Sequence, residues 1–278
     1  MNFLFAIVSS LNRFQKSRRL FGWFVYLLVL LQSVIAWVTQ KEFRSFADCY
    51  FHYKKQSKHP WIHERSIEYP WIAKNISEIK NCCVLDVGAK EGLPSSDILL
   101  NNNNVVFTID INASNSIQSN NRLIIKNGDI CSTPFNNEFF DAVIAVSTLE
   151  HIGILGRYGI DQPDQEGDIS AMVEIFRILK PGGKVFITLP YGVGKSLPLN
   201  RLYNVDRVNR LFEKYTNIKK EYFKFDSKYA MWFEVPESTA AENNWDVDPW
   251  YSIACCSAEK SNRNDEFQNP TMEKSIYK

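Results

Sequence analysis

Acidic groups sit at the ends of four short apolar runs, spaced as contacts to a polar cofactor would be. Asp86 lies in Val84-Leu85-Asp86-Val87, which runs into Gly88-Ala89-Lys90-Glu91-Gly92. Gly88 and Gly92 lack a Cβ and suit a tight turn where backbone passes close to a ligand. Asp110 closes a second run about twenty residues after that turn, where a carboxylate would accept both hydroxyls of a ribose. Asn127-Gly128-Asp129-Ile130 closes a third run and places Asp129 near a purine edge. Ser147-Thr148-Leu149-Glu150-His151 closes a fourth and faces the reacting centre. A histidine titrating near neutrality can take the proton of an oxygen or nitrogen nucleophile, which makes His151 the candidate base. Arg157 and Tyr158, in the glycine-rich stretch Gly153–Gly159, are candidate acceptor contacts because such loops commonly meet the substrate. Each group also has a plainer reading. Asp86 can orient its own turn, Asp110 and Asp129 can be ordinary turn acids, and Glu150-His151 can be a structural pair.

The elements that must carry these residues alternate between strands and helices. Strands are expected at Cys82–Val87, Val105–Asp110, Leu123–Lys126, Phe140–Ser147 and Lys184–Leu189. Ile67–Ile79 reads as a helical approach interrupted at Pro70. Ile169, Met172, Val173, Ile175, Phe176 and Leu179 recur at helical spacing, and Lys180-Pro181-Gly182-Gly183 reads as a helix stop and turn. Tyr203–Tyr215 is an expected helix, and Phe223–Val235 an aromatic strand closing over the site. Strands separated by helices imply an α/β fold whose mostly parallel sheet has helices on both faces. Ligands of such sheets bind at the carboxyl ends of the strands, where the order reverses.

The ordered motifs VLDVGAKEG, FTID, NGDI, FFDAVIAVSTLEHI and EIFRILKPGGKVFITLP resemble those of class I, Rossmann-like S-adenosylmethionine-dependent methyltransferases. The resemblance covers roughly residues 61–258. It implies a seven-stranded sheet whose last strand, at Trp250–Ser257, is antiparallel. It further implies that Asp86, Gly88, Ala89 and Gly92 approach the methionine part of the cofactor, Asp110 the ribose, and Asp129 with Ile130 the adenine, with Ile111 a further cofactor contact. Ser147 and Leu149 through His151 would line the methyl-transfer side, with Glu150 toward the substrate. Where relatives carry a third glycine this chain has Lys90, so a catalytically degenerate, membrane-tethered module stands as an alternative. A nicotinamide-dependent oxidoreductase is a further one. It would want a tighter GxGxxG and a catalytic Tyr-x3-Lys or a hydride-site histidine, and Gly88 and Gly92 do not make that glycine spacing.

The 278 residues allow one α/β domain plus an appendage, and a net charge of +1 gives no reason to expect a nucleic-acid partner. Six cysteines without a CxxC read as reduced thiols of a cytosol-facing protein. Cys49-x2-His52 and His59-x3-His63 imitate zinc spacing, but lie among lysines and aromatics as in a linker, so no metal is assigned. Phe21–Val38 is uncharged and would rise about 27 Å as a helix, near the hydrocarbon thickness of a bilayer. A membrane anchor, an apolar helix packed on the domain or a partner, and a cleaved signal peptide are its three readings. The acceptor is expected to be a small molecule, or, if the first reading holds, a lipid or glycan presented at a membrane. The chain thus divides into an apolar segment at 1–40, a linker at 41–60, the catalytic domain at 61–258 and a polar, disordered tail at 259–278. The domain is expected in the cytoplasm, with the N-terminal helix as its route to a membrane. Trp232, Trp245 and Trp250 are read as core aromatics or as an acceptor platform.

Overall fold

The computed structural model describes residues 64–89, 94–118, 121–156, 161–194, 200–226, 231–248 and 250–261. Buried apolar runs form the centre of the sheet. β1 (Cys83–Val87) and β5 (Phe140–Val146) are covered on both faces, as parallel strands flanked by helices must be. β2 (Val105–Asp110), β4 (Leu123–Asn127) and β6 (Leu179–Tyr191) continue the parallel set. β9 (Ser252–Lys260) runs antiparallel between β6 and β7 (Tyr215–Asp226). The short β3 (Ser116–Gln118) and β8 (Met231–Val235) add antiparallel edges.

The sheet order is β3-β4-β2-β1-β5-β6-β9-β7-β8, an α/β Rossmann-like arrangement with nine strands rather than the expected seven. The extra two are edges around a seven-stranded frame. β3 has three residues set among asparagines and serines, too few for alternation to register. β8 is the second half of the aromatic run at Phe223–Val235, which folds as a hairpin with β7 at the sheet edge instead of one strand over the site.

Side chains alternate across the sheet and so divide the core in two. Leu85, Val87, Ile109, Val143 and Ala145 pack toward α3 (Gly167–Ile178) and α4 (Val205–Leu211), with the short α5 (Glu237–Ala241) nearby. Val84, Val106, Ala142, Ile144 and Val146 face α1 (Arg65–Ile76) and α2 (Pro94–Asn101).

Several boundaries differ from the expected ones for local reasons. α1 runs through Pro70 without interruption. The ring forfeits one backbone bond, and burial of Tyr69, Trp71, Ile72 and Ile76 outweighs that loss. Lys180–Gly183 lies within β6, where Gly182 at φ +73° sits beside a register shift opposite Phe140 and Ala142. α4 takes only the middle of the expected helix at Tyr203–Tyr215, with Asn204 capping it by accepting the Arg207 N–H at 2.9 Å. β9 extends past Ser257, so Glu259 and Lys260, read as the start of the tail, pair within the sheet.

The apolar segment Phe21–Val38, the zinc-like spacing at Cys49–His63, Lys90, Gly92, Arg157 and Tyr158 lie outside the described residues. Among those described, no helix is long and apolar enough to cross a membrane.

Candidate functional site

Strand order reverses at β1, with β2 on one side and β5 on the other, and a cavity of about 250 Å³ opens at these strand ends. Gly88 after β1, Asp110 and Ile111 after β2, Gly128, Asp129 and Ile130 after β4, and Ser147 and Thr148 after β5 form one side. His151, Ile152 and Gly153 continue the wall past β5, and Arg65 and Tyr69 enter from α1.

Gly88 must be a glycine twice over. Its φ is +78°, and a Cβ there would lie 2.5 Å from Thr148 Oγ1. That hydroxyl lies 3.1 Å from the Val87 carbonyl and 3.0 Å from that of Val146, bridging the ends of β1 and β5. Asp110 shapes its own turn by accepting the Asn112 N–H at 2.7 Å through Oδ1, and retains further acceptor capacity. Asp129 likewise accepts the Cys131 N–H at 2.9 Å. Ile111, 40% exposed, and Ile130, buried, place apolar surface beside these two acids.

Asp86 lies behind the cavity wall. It is fully buried and accepts from Ser95 Oγ at 2.5 Å and, more loosely, from Ser96 Oγ at 3.3 Å. Burial pushes its carboxyl up to about 6 against the pull of those two hydroxyls. The side chain ties β1 to the start of α2, the turn-orienting role. Ala89, Leu149 and Glu150 are also buried and stand off the cavity lining. Thus Gly88, Asp110, Ile111, Asp129, Ile130, Ser147 and His151 come together on one cavity, while Asp86, Ala89, Leu149 and Glu150 support it from behind.

At the ends of β5 and β6 lies a charged knot that no motif announces. Glu68, fully buried on α1, pairs with Arg65 and accepts from Ser147 Oγ at 2.5 Å and Thr188 Oγ1 at 2.6 Å. Ser147 holds φ +43°, an uncommon state for a residue with a side chain, and its N–H donates to Thr188 Oγ1 at 3.0 Å. Helix α1 is thereby fastened to the ends of β5 and β6, and Arg65 is brought to the cavity.

Two more carboxyls crowd this knot. Burial, then the Glu68 charge, raise Glu64 to about 7 and Glu150 to about 8. Glu150 Oε1 lies 3.8 Å from His151 Nε2. Arg65 and Tyr69 escaped the sequence reading, whereas Thr148, Ile152 and Gly153 stood in its motifs without a role of their own. The first two sit in a helix whose composition carries no signal. Trp232 packs on Phe225 and Trp250, and Trp245 on Tyr251, at ring separations of 5.3–6.4 Å, as core aromatics do.

Residues 85–187 match the family model described as a methyltransferase domain. No curated protein matches the chain in sequence. Among solved structures it is similar to the 1,6-didemethyltoxoflavin-N1-methyltransferase of Burkholderia thailandensis, solved with S-adenosylhomocysteine. Identity there is 13%, the TM-score is 0.48, and 78% of this chain and 87% of that one are covered. A SAM-dependent methyltransferase from Methanosarcina mazei is 14% identical, with TM-score 0.46 over 68% of this chain and 97% of the other. The cyclase SpnF is 16% identical, with TM-score 0.46 over 69% and 78%.

Proposed function

We propose that this chain, a class I S-adenosylmethionine-dependent methyltransferase, moves the methyl group of its cofactor to an oxygen or nitrogen of a small-molecule acceptor, with His151 as base. The observation that carries this reading is the convergence of Gly88, Asp110, Ile111, Asp129, Ile130, Ser147 and His151 on one cavity. The residues present fit the cofactor. Asp110 has acceptor capacity for the ribose hydroxyls. Ile111 and Ile130 offer apolar surface to the adenine, beside the Asp129 carboxylate. Gly88 leaves room for the methionyl chain, and Arg65 offers its carboxylate a guanidinium partner.

S-adenosylmethionine supplies, when bound, an electrophilic methyl on a sulfonium that is also its own leaving group. The protein's share is then alignment and proton handling. The Ser147–Gly153 wall fixes the acceptor's side of the cavity, and His151 takes the acceptor's proton. Phe21–Val38, read as a helix held at a membrane, would bring the domain to lipid or glycan acceptors on the cytoplasmic side.

The test is calorimetric titration of the full chain with S-adenosylmethionine, S-adenosylhomocysteine and NAD. Saturable binding of the first two, lost in Asp110→Ala by about 100-fold or more, is expected, since a ribose carboxylate makes charge-assisted bonds. Silence toward both in a folded sample overturns the reading in favour of the degenerate tethered module. Preference for NAD would favour the oxidoreductase.

A further inference from the structure

The wall that carries His151 is one turn of 3-10 helix, Leu149–His151, followed by Ile152 and Gly153. Its internal bonds are few: the His151 N–H to the Thr148 carbonyl at 3.1 Å and the Ile152 N–H to the Leu149 carbonyl at 3.2 Å. One such turn does not hold itself in water, because nucleating it fixes several dihedrals for a single bond. Its shape must come from outside.

Arg201, in the segment after β6, supplies that shape. Only 8% exposed, it spreads its guanidinium over four carbonyls. Nη1 donates to Leu149 at 3.4 Å and Ile152 at 3.2 Å, and Nη2 to Asp164 at 3.2 Å and Gln165 at 3.3 Å. The Arg201 backbone N–H donates to the Glu150 carbonyl at 2.8 Å. The wall and the entry to α3 are stitched together a second time at Gly153, whose carbonyl accepts the Asp164 N–H at 2.9 Å. Gly153 cannot be replaced there, since a Cβ would lie 2.1 Å from the Asp164 carbonyl oxygen.

A buried guanidinium is tolerable only when its donors and its charge are both met. Asp168, fully buried at the start of α3, lies 3.4 Å from Arg201 and also binds Arg207 through Nε at 3.0 Å and Nη2 at 2.5 Å. A lysine could not replace the fork, because an ammonium cannot span four carbonyls from two segments.

We propose that Arg201 is the positioning residue of the transfer site: it does not line the cavity, but sets the carbonyls bracketing His151 and hence where that ring stands. Its catalytic meaning rests on the methyl-transfer reading, while its effect on the wall does not.

Hydrogen exchange read by mass spectrometry on the full chain tests both parts. In Arg201→Gln, peptides covering 149–156 and 164–167 are expected to exchange about tenfold faster or more, with β1, β2 and β5 near wild type. S-adenosylhomocysteine affinity should fall about tenfold in the same folded sample, because displacement of a site wall is felt by what it contacts. Should Arg201→Gln fail to fold, Arg201→Lys, which keeps the charge beside Asp168, should show the same localised pattern at smaller amplitude. Unchanged exchange in the wall, or equal acceleration throughout the domain, overturns the positioning role. Wild-type protein that ignores S-adenosylhomocysteine would sink the function reading alone, since the exchange pattern still decides Arg201.

Discussion

The two sides of the cavity are built by different means. The glycine-turn side consists of strand ends, and each contributing residue lies within a residue or two of a buried apolar run. Gly88, Asp110 and Asp129 need only β1, β2 and β4 in register to meet. The rest of the lining is assembled from distant pieces. Arg65 and Tyr69 come from α1, the His151 wall follows β5, and Arg201 and Asp168 hold that wall from behind. The first side is robust because the sheet makes it. The second depends on a few buried polar groups, each of which can be removed singly.

Gly88→Ala should break the sheet-made side most severely. The new methyl would collide with Thr148 Oγ1 at 2.5 Å on a backbone held at φ +78°. Relieving it moves either the turn or the hydroxyl that joins β1 to β5. Loss of S-adenosylhomocysteine binding by about 100-fold or more is expected, with a drop in stability of about 1–3 kcal/mol from overpacking and backbone strain. Calorimetry beside thermal melting reads both. Wild-type affinity in this variant would mean that the turn is not part of the cofactor site.

Next in size is Glu68→Leu, on the assembled side. It leaves Arg65, Ser147 Oγ and Thr188 Oγ1 without their shared acceptor in a buried place. Breaking a buried pair by removing one partner costs about 3–5 kcal/mol. Urea unfolding should show that loss, and cofactor affinity should fall as Arg65 swings away. Equal stability of variant and wild type would show that the knot is incidental to how α1 is held.

The same contrast decides how much could be read from the sequence. The parallel strands and the acids at their ends were legible because local spacing determines them: Asp110 follows its apolar run wherever that run is placed. The assembled side was not. Glu68 and Ser147 are 79 residues apart and share no motif. Pro70 argued for a break in α1, and only tertiary burial of Tyr69, Trp71 and Ile72 keeps that helix whole. Asp86 shows the converse. Its place in the motif is apparent, but whether it faces ligand or Ser95 depends on side-chain geometry that spacing does not carry. β3 escaped because three residues hold less than two periods of alternation, whereas the aromatic run at Phe223–Val235 announced strand but not its turn.

The smallest expected effect lies where the assembled side carries its surplus of carboxyls. Glu150 is raised from 4.5 to about 8 by burial first and by the Glu68 charge second, opposed by its own backbone N–H and by Arg65. A carboxyl raised on folding binds its proton more tightly in the native state. Its stabilising contribution is therefore complete below the unfolded value and is lost as pH climbs to the folded one. Glu150→Gln has no proton to lose, so its stability relative to wild type should rise between about pH 4.5 and 8 and level off above that. The gain at the plateau is of the order of 2 kcal/mol, less than a full shift would give because native structure relaxes around a buried charge. Urea unfolding at four or five pH values across that window measures it. A gap that stays constant with pH would show that Glu150 is ionised throughout, already matched by a cation. His151, 3.8 Å away, would then be the first group to titrate by NMR.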